Sequence, residues 1–146
     1  TNAKISPSDV SFILSGDLLD QCMGSAFAIK DLEIPSVGLY GACSTMALSM
    51  CVGSMLVDGG ANYVVAGTSS HFCSSERQFR FPLEYGGQRP PSAQWTVTGA
   101  GSAVIAKMGE GIKIKAVSIG TICDMGITDA NNMGAAMAPV DAILRP

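Results

Sequence analysis

The sequence predicts an α/β fold with a mostly parallel sheet, and three observations support this prediction. Short apolar runs alternate with longer stretches at helical spacing, and glycine or proline separates them. Of the 146 residues, 47% are hydrophobic and 14% are charged, which is enough apolar surface to bury the core of one domain. The order strand, helix, strand, helix, strand is typical of parallel strands joined by crossovers.

Three short apolar runs are predicted to be strands, at residues 11–19, 36–40 and 63–68. A helix is predicted over residues 21–32, because apolar residues recur there at helical spacing and Pro35 follows. A second helix, over residues 43–57, is apolar almost all round, and the glycines after Asp58 end it.

The remaining chain is less regular. Residues 103–107 and 113–122 are predicted to form a strand pair joined through Gly109-Glu110-Gly111. About thirty residues, 69–98, separate the third strand from this pair, and a connection of that length is usually functional or part of an interface. Residues 124–146 open a further element.

Composition excludes several classes of protein. The formal net charge of −3 gives no basic footprint, so we expect no nucleic-acid partner. The five cysteines are odd in number without a C-x-x-C pair, and His71 is the only histidine. We therefore expect neither a disulfide framework nor a metal site, and we expect a reducing, intracellular compartment.

Residues 34–57 carry no charge and are long enough to span a bilayer, and the mean hydropathy is +0.32. Proline and glycine interrupt this stretch, however, which favours a strand, a turn and a helix in a buried core. No basic-then-apolar signal peptide is seen, and Thr1 stands where an initiator Met is expected. We expect no membrane span and no signal peptide in this chain.

Cys43 is the first candidate for chemistry, because it lies where a predicted strand turns into a predicted helix. The first N–H groups of a helix are unpaired and carry the positive end of its dipole, which stabilises a thiolate and can receive an oxyanion. His71 directly follows the third strand, so it is predicted to lie on the same sheet edge and to assist Cys43 as a base. The alternatives are a small buried Cys43 and a loop histidine without a partner.

The long connection concentrates arginine and aromatic residues. Arginine forks pair with carboxylates, and flat aromatic faces suit planar rings, so we hypothesise a binding site for a planar carboxylate. A subunit interface and an ordinary charged surface are the two alternatives, in that order. The candidate ligand-binding residues are Arg77, Arg80, Arg89, Tyr85 and Trp95.

Three runs of sequence resemble the stage V sporulation protein AD family of the thiolase-like superfamily. They are GLYGACSTMALS, TSSHFCSSERQFRFPLEYGGQRPPSAQWTVTGAGSAVI and DMGITDANNMGAAMAP. The resemblance covers almost the whole chain. It implies a thiolase-like layered fold, and it puts Cys43 at the position where thiolases and ketoacyl synthases carry their acyl-accepting cysteine.

The resemblance also implies a function. Members of the family bind dipicolinic acid (pyridine-2,6-dicarboxylate), alone or as its calcium chelate, for uptake into the developing spore, without catalysis. The implied partners are other stage V membrane proteins and further copies of the chain, and the implied location is peripheral to the inner spore membrane. A thiolase-like or ketoacyl-synthase-like acyl transferase, with Cys43 as nucleophile, is the alternative.

A thiolase-like fold has two similar halves, and the resemblance implies that this chain holds mainly the first. Residues 1–123 would form the α/β unit of that half, and residues 124–146 a loop and the first element of the second. Condensing enzymes take further catalytic residues from the second half. We therefore expect an incomplete catalytic set, no resident cofactor, and calcium only as part of the dipicolinate chelate.

Overall fold

The computed structural model describes residues 3–18, 22–70, 91 and 98–120, and the structural statements below concern these residues. They form four strands and two helices. In chain order the elements are β1 (Val10–Asp17), α1 (Met23–Ile29), β2 (Ser36–Gly38), α2 (Thr45–Asp58), β3 (Tyr63–Ser70) and β4 (Gly99–Ala106). Short 3₁₀ turns at Pro7–Asp9 and Ala42–Ser44 precede β1 and α2.

The four strands form one sheet in the order β2-β1-β3-β4. The central strand β1 runs parallel to both neighbours, and its Leu14 lies opposite Val37 of β2 and Ala66 of β3. Strand β4 runs antiparallel to β3 over the full length of both strands. The prediction of an α/β fold with a mostly parallel sheet is therefore confirmed.

The predicted elements up to residue 70 are all present, with shifted ends. Helix α1 is shorter than predicted, and helix α2 begins at Thr45 instead of Cys43. The second shift arises because Ala42–Ser44 form a 3₁₀ turn, in which the Ser44 and Thr45 N–H groups bond to the carbonyl oxygens of Gly41 and Ala42, three residues back. The uncharged stretch 34–57 contains β2, a turn and all of α2 except Asp58, in the predicted order. The prediction that it is buried is wrong for β2, because all three residues of this edge strand are exposed.

The prediction of a strand at residues 113–122 is wrong for residues 113–120, which form no strand. Residues 121 and 122 lie outside the described part of the chain. A strand exists only where its backbone groups pair with a neighbouring strand, and residues 113–120 pair with none of the described strands. Their apolar side chains are accordingly exposed, Ile119 to 75%. Strand β4 begins at Gly99, earlier than residue 103, because its whole length pairs with β3.

The core lies between α2 and the sheet. Leu14, Val64 and Ala66 are fully buried, and Val57 of α2 and Ile105 of β4 complete the cluster. Helix α2 packs on β1, β3 and β4 with a stripe of residues four apart, which lie on one face of a helix. The stripe consists of Thr45, Ser49, Gly53 and Val57.

Small residues in this stripe allow the helix to approach the sheet closely. A methyl group added at Gly53 would lie 2.7 Å from Cδ1 of Ile105 and 3.3 Å from Cγ1 of Val64, inside normal contact distance. The opposite side of the helix is open, since Met55 is 48% exposed. No helix in the described part of the chain is long and apolar enough to cross a membrane.

Gly16 has the closest surroundings of the described glycines, and we predict that it tolerates no side chain. A Cβ there would overlap the carbonyl oxygen of Leu39 and press on the Thr45 methyl group. Because the obstacle is backbone, Gly16→Ala is expected to lower the free energy of unfolding by about 3 kcal/mol. Denaturant unfolding followed by circular dichroism measures this loss.

Gly101→Ala is the matched control, because Gly101 lies in a strand of the same sheet with nothing within 4 Å of the added methyl group. Its effect is expected to stay within about 0.5 kcal/mol of zero. Equal effects of the two alanines would contradict the close approach at Gly16.

Candidate functional site

The candidate site lies at the carboxyl edge of the parallel strands. Strands β1, β2 and β3 run in the same direction, so their last residues, Asp17, Gly38 and Ser70, end at the same edge of the sheet. Open α/β sheets bind ligands outside this edge. The corner that carries Cys43 follows β2, and the segment that begins with His71 follows β3.

Cys43 lies in the 3₁₀ turn Ala42–Ser44, directly before the first residue of α2. The predicted placement at a strand-to-helix corner is therefore confirmed. The residue is exposed, which disagrees with the alternative of a small buried cysteine. Its thiol is open to solvent beside the N-terminus of a 14-residue helix.

Two hydroxyl side chains hold the corner in shape. The Thr45 hydroxyl donates a hydrogen bond to the carbonyl oxygen of Ala42 (2.8 Å) and accepts one from the Gly41 N–H (3.2 Å). The Ser44 hydroxyl donates to the Gly41 carbonyl oxygen at 2.7 Å. These bonds stabilise the backbone at Ala42, whose positive φ is unfavourable for a residue with a Cβ.

The corner is anchored to the sheet as well as to itself. The Leu39 N–H donates to the Ser15 carbonyl oxygen at 2.9 Å, which extends the β1–β2 pairing past the end of β2. Thr45 is 1% exposed, and its methyl group meets the backbone at Gly16. The position of Cys43 is thus set by contacts on both sides of it, from residues 39 and 45.

Cys22 supports the same region. Its thiol lies 3.5 Å from the carbonyl oxygen of Leu39 and donates a hydrogen bond to it. The residue is half-buried and has a φ of 52° at the start of α1. This contact joins the start of α1 to the Cys43 corner. Cys51, also half-buried, lies within α2.

Asp17 is a polar residue that the sequence analysis did not single out. It ends β1 at the candidate edge, and it is buried to 1% exposure. Its carboxylate accepts a hydrogen bond from the Ser25 N–H at 3.1 Å, and the Ser25 hydroxyl donates to the Cys22 carbonyl oxygen. An acidic residue closing an apolar strand, as in the run SFILSGD, was the available signal for it.

The other predicted site residues lie outside the described part of the chain. They are His71, Arg77, Arg80, Tyr85, Arg89 and Trp95. Their predicted proximity to Cys43 therefore stays a prediction. Within residues 3–18, 22–70, 91 and 98–120, no group of three or more acidic, cysteine or histidine side chains is arranged to hold a metal ion.

A mostly parallel α/β sheet with a cysteine corner at its carboxyl edge is consistent with one half of a thiolase-like layered fold. The family model for Stage V sporulation protein AD (SpoVAD) matches residues 1–144. The Stage V sporulation protein AD of Bacillus subtilis (strain 168) is 45% identical over 140 residues, which is 95% of this chain. The chain belongs to the SpoVAD family, as its motifs predicted.

The chain spans 41% of the length of the B. subtilis relative. The matched region includes the Cys43 corner and all of the predicted ligand-binding residues, because the family model extends from residue 1 to residue 144. The family description assigns the protein to sporulation. It names no ligand.

Thr45 is predicted to be the residue that fixes the corner. Replacing it with valine keeps the shape but removes both hydrogen bonds, and the Gly41 N–H is left without this acceptor. Thr45→Val is expected to lower the free energy of unfolding by about 1–3 kcal/mol, measured by denaturant unfolding.

Thr45→Ser keeps the hydroxyl, so its free energy of unfolding is expected to fall much less than that of the valine variant. Ser44→Ala is the matched control at the neighbouring, exposed position, with an expected loss below about 1 kcal/mol. A valine variant as stable as the wild type would show that the two hydrogen bonds do not hold the corner.

Proposed function

We propose that this chain is part of a sporulation protein that binds dipicolinic acid, without turnover, for its uptake into the developing spore. The binding site in this proposal lies at the carboxyl edge of the sheet. The corner of residues 39–45 forms its floor, and the arginine-bearing connection 69–98 covers it.

The observation that supports this placement is the direction of β3. It runs parallel to β1 and ends at Ser70, at the same edge as the Cys43 corner. The connection therefore leaves the sheet at the candidate site, and Arg77 follows only seven residues after the end of β3. Seven residues of extended chain reach at most about 25 Å, so the first arginine stays within reach of this edge.

The chemistry of the ligand requires positive charge. Dipicolinate carries two carboxylates on one planar ring, and each carboxylate can accept two parallel hydrogen bonds from a guanidinium group. The described residues include no arginine. In this proposal Arg77, Arg80 and Arg89 supply the guanidinium groups, and Tyr85 and Trp95 supply flat faces for the ring.

In this proposal, calcium binds to the protein only as part of the dipicolinate chelate. Dipicolinate chelates the ion through its carboxylates and ring nitrogen, so the protein can take up the chelate without providing a metal site of its own. The remaining coordination positions of the ion would be filled by water or by carboxylates, which are the ligands calcium prefers.

The proposed partners are other stage V sporulation proteins of the membrane and a second copy of the chain, with the protein peripheral to the inner spore membrane. Exposed apolar side chains support an association of this kind, because they are stabilised when a partner removes them from water. Phe27 of α1 is 65% exposed, and Met23, one turn earlier on the same helix, is 53% exposed.

We predict that dipicolinate binding depends on the arginines of the connection. Isothermal titration of the full-length protein is the measurement, with Arg77→Ala, Arg80→Ala and Arg89→Ala compared with wild type. Each arginine that contacts a carboxylate contributes about 1.5–3 kcal/mol, so its loss is expected to raise Kd by at least about tenfold.

Lys30→Ala is the matched control, because Lys30 is an exposed cation on the far end of α1 and pairs only with the neighbouring Asp31 at 2.7 Å in the described structure. Its Kd is expected to equal that of the wild type. Pyridine-2-carboxylate, with one carboxylate fewer, is expected to bind more weakly than dipicolinate. Wild-type binding that none of the three arginine variants weakens would refute the assignment.

Acyl transfer is the second candidate function, and the exposure of Cys43 at the start of α2 favours it. In this hypothesis the Cys43 thiolate attacks the carbonyl carbon of an acyl donor. Two N–H groups next to Cys43 are already paired, since the Ser44 N–H donates to the Gly41 carbonyl oxygen at 2.8 Å and the Thr45 N–H donates to that of Ala42. Stabilisation of the oxyanion would therefore need other N–H groups of the helix start. His71 would take the thiol proton and pass it to the leaving group of the donor, whose bond to the acyl carbon breaks as the thioester with Cys43 forms. The dipicolinate proposal needs no such reactivity, so the reactivity of Cys43 separates the two functions.

Under the acyl-transfer hypothesis, Cys43 is expected to react with iodoacetamide at pH 7 at least about ten times faster than free cysteine, because a stabilised thiolate is the reactive form. Peptide mapping by mass spectrometry assigns the label to its residue. Cys43→Ser gives the background, and the half-buried Cys51 serves as an internal reference. Labelling of Cys43 no faster than that of free cysteine would contradict the acyl-transfer hypothesis.

A further inference from the structure

We draw no further inference here: the strongest candidate, the exposed apolar surface on helix α1 and the edge strand β2, is unpartnered within the described residues, and nothing in the structure shows what covers it.

Discussion

The close contact of the Cys43 corner with β1 at Gly16 is the constraint on which the candidate site depends. Only a hydrogen atom fits between the Gly16 backbone and both the Leu39 carbonyl oxygen and the Thr45 methyl group. This contact brings the start of α2 against the sheet, and the buried stripe from Thr45 to Val57 then continues the packing along the helix. The core and the corner are therefore one packed unit, since the same helix face forms part of both.

At the corner, the residue that supports the structure is buried and the candidate reactive residue is exposed. Thr45 is buried and fully engaged in hydrogen bonds, whereas Cys43, two residues earlier, is exposed. A rigid support beneath an accessible side chain suits a binding site and a nucleophile equally well, because both need a fixed geometry. The corner by itself thus does not choose between dipicolinate binding and acyl transfer. The choice depends on what the connection after β3 brings to the same edge.

The composition of the connection bears on this choice. The connection carries Arg77, Arg80 and Arg89 together with five aromatic residues, on a chain whose net charge is −3. Concentrated guanidinium groups on an acidic chain favour an anionic partner. Asp17 lies buried at the same edge, where its carboxylate is occupied by the Ser25 N–H. It therefore supports the start of α1.

Apolar periodicity and the motif around Cys43 are local signals, so the order of strands and helices up to residue 70 and the family could be predicted from the sequence. Features that depend on contacts between distant segments became known only from the fold. The fold shows that residues 113–120 pair with no described strand and that Cys43 is exposed. It also shows that Gly16 contacts the corner and that Asp17 accepts a hydrogen bond from α1. These features arise where separate segments meet: β1 touches the corner more than twenty residues later, and no window of sequence contains both.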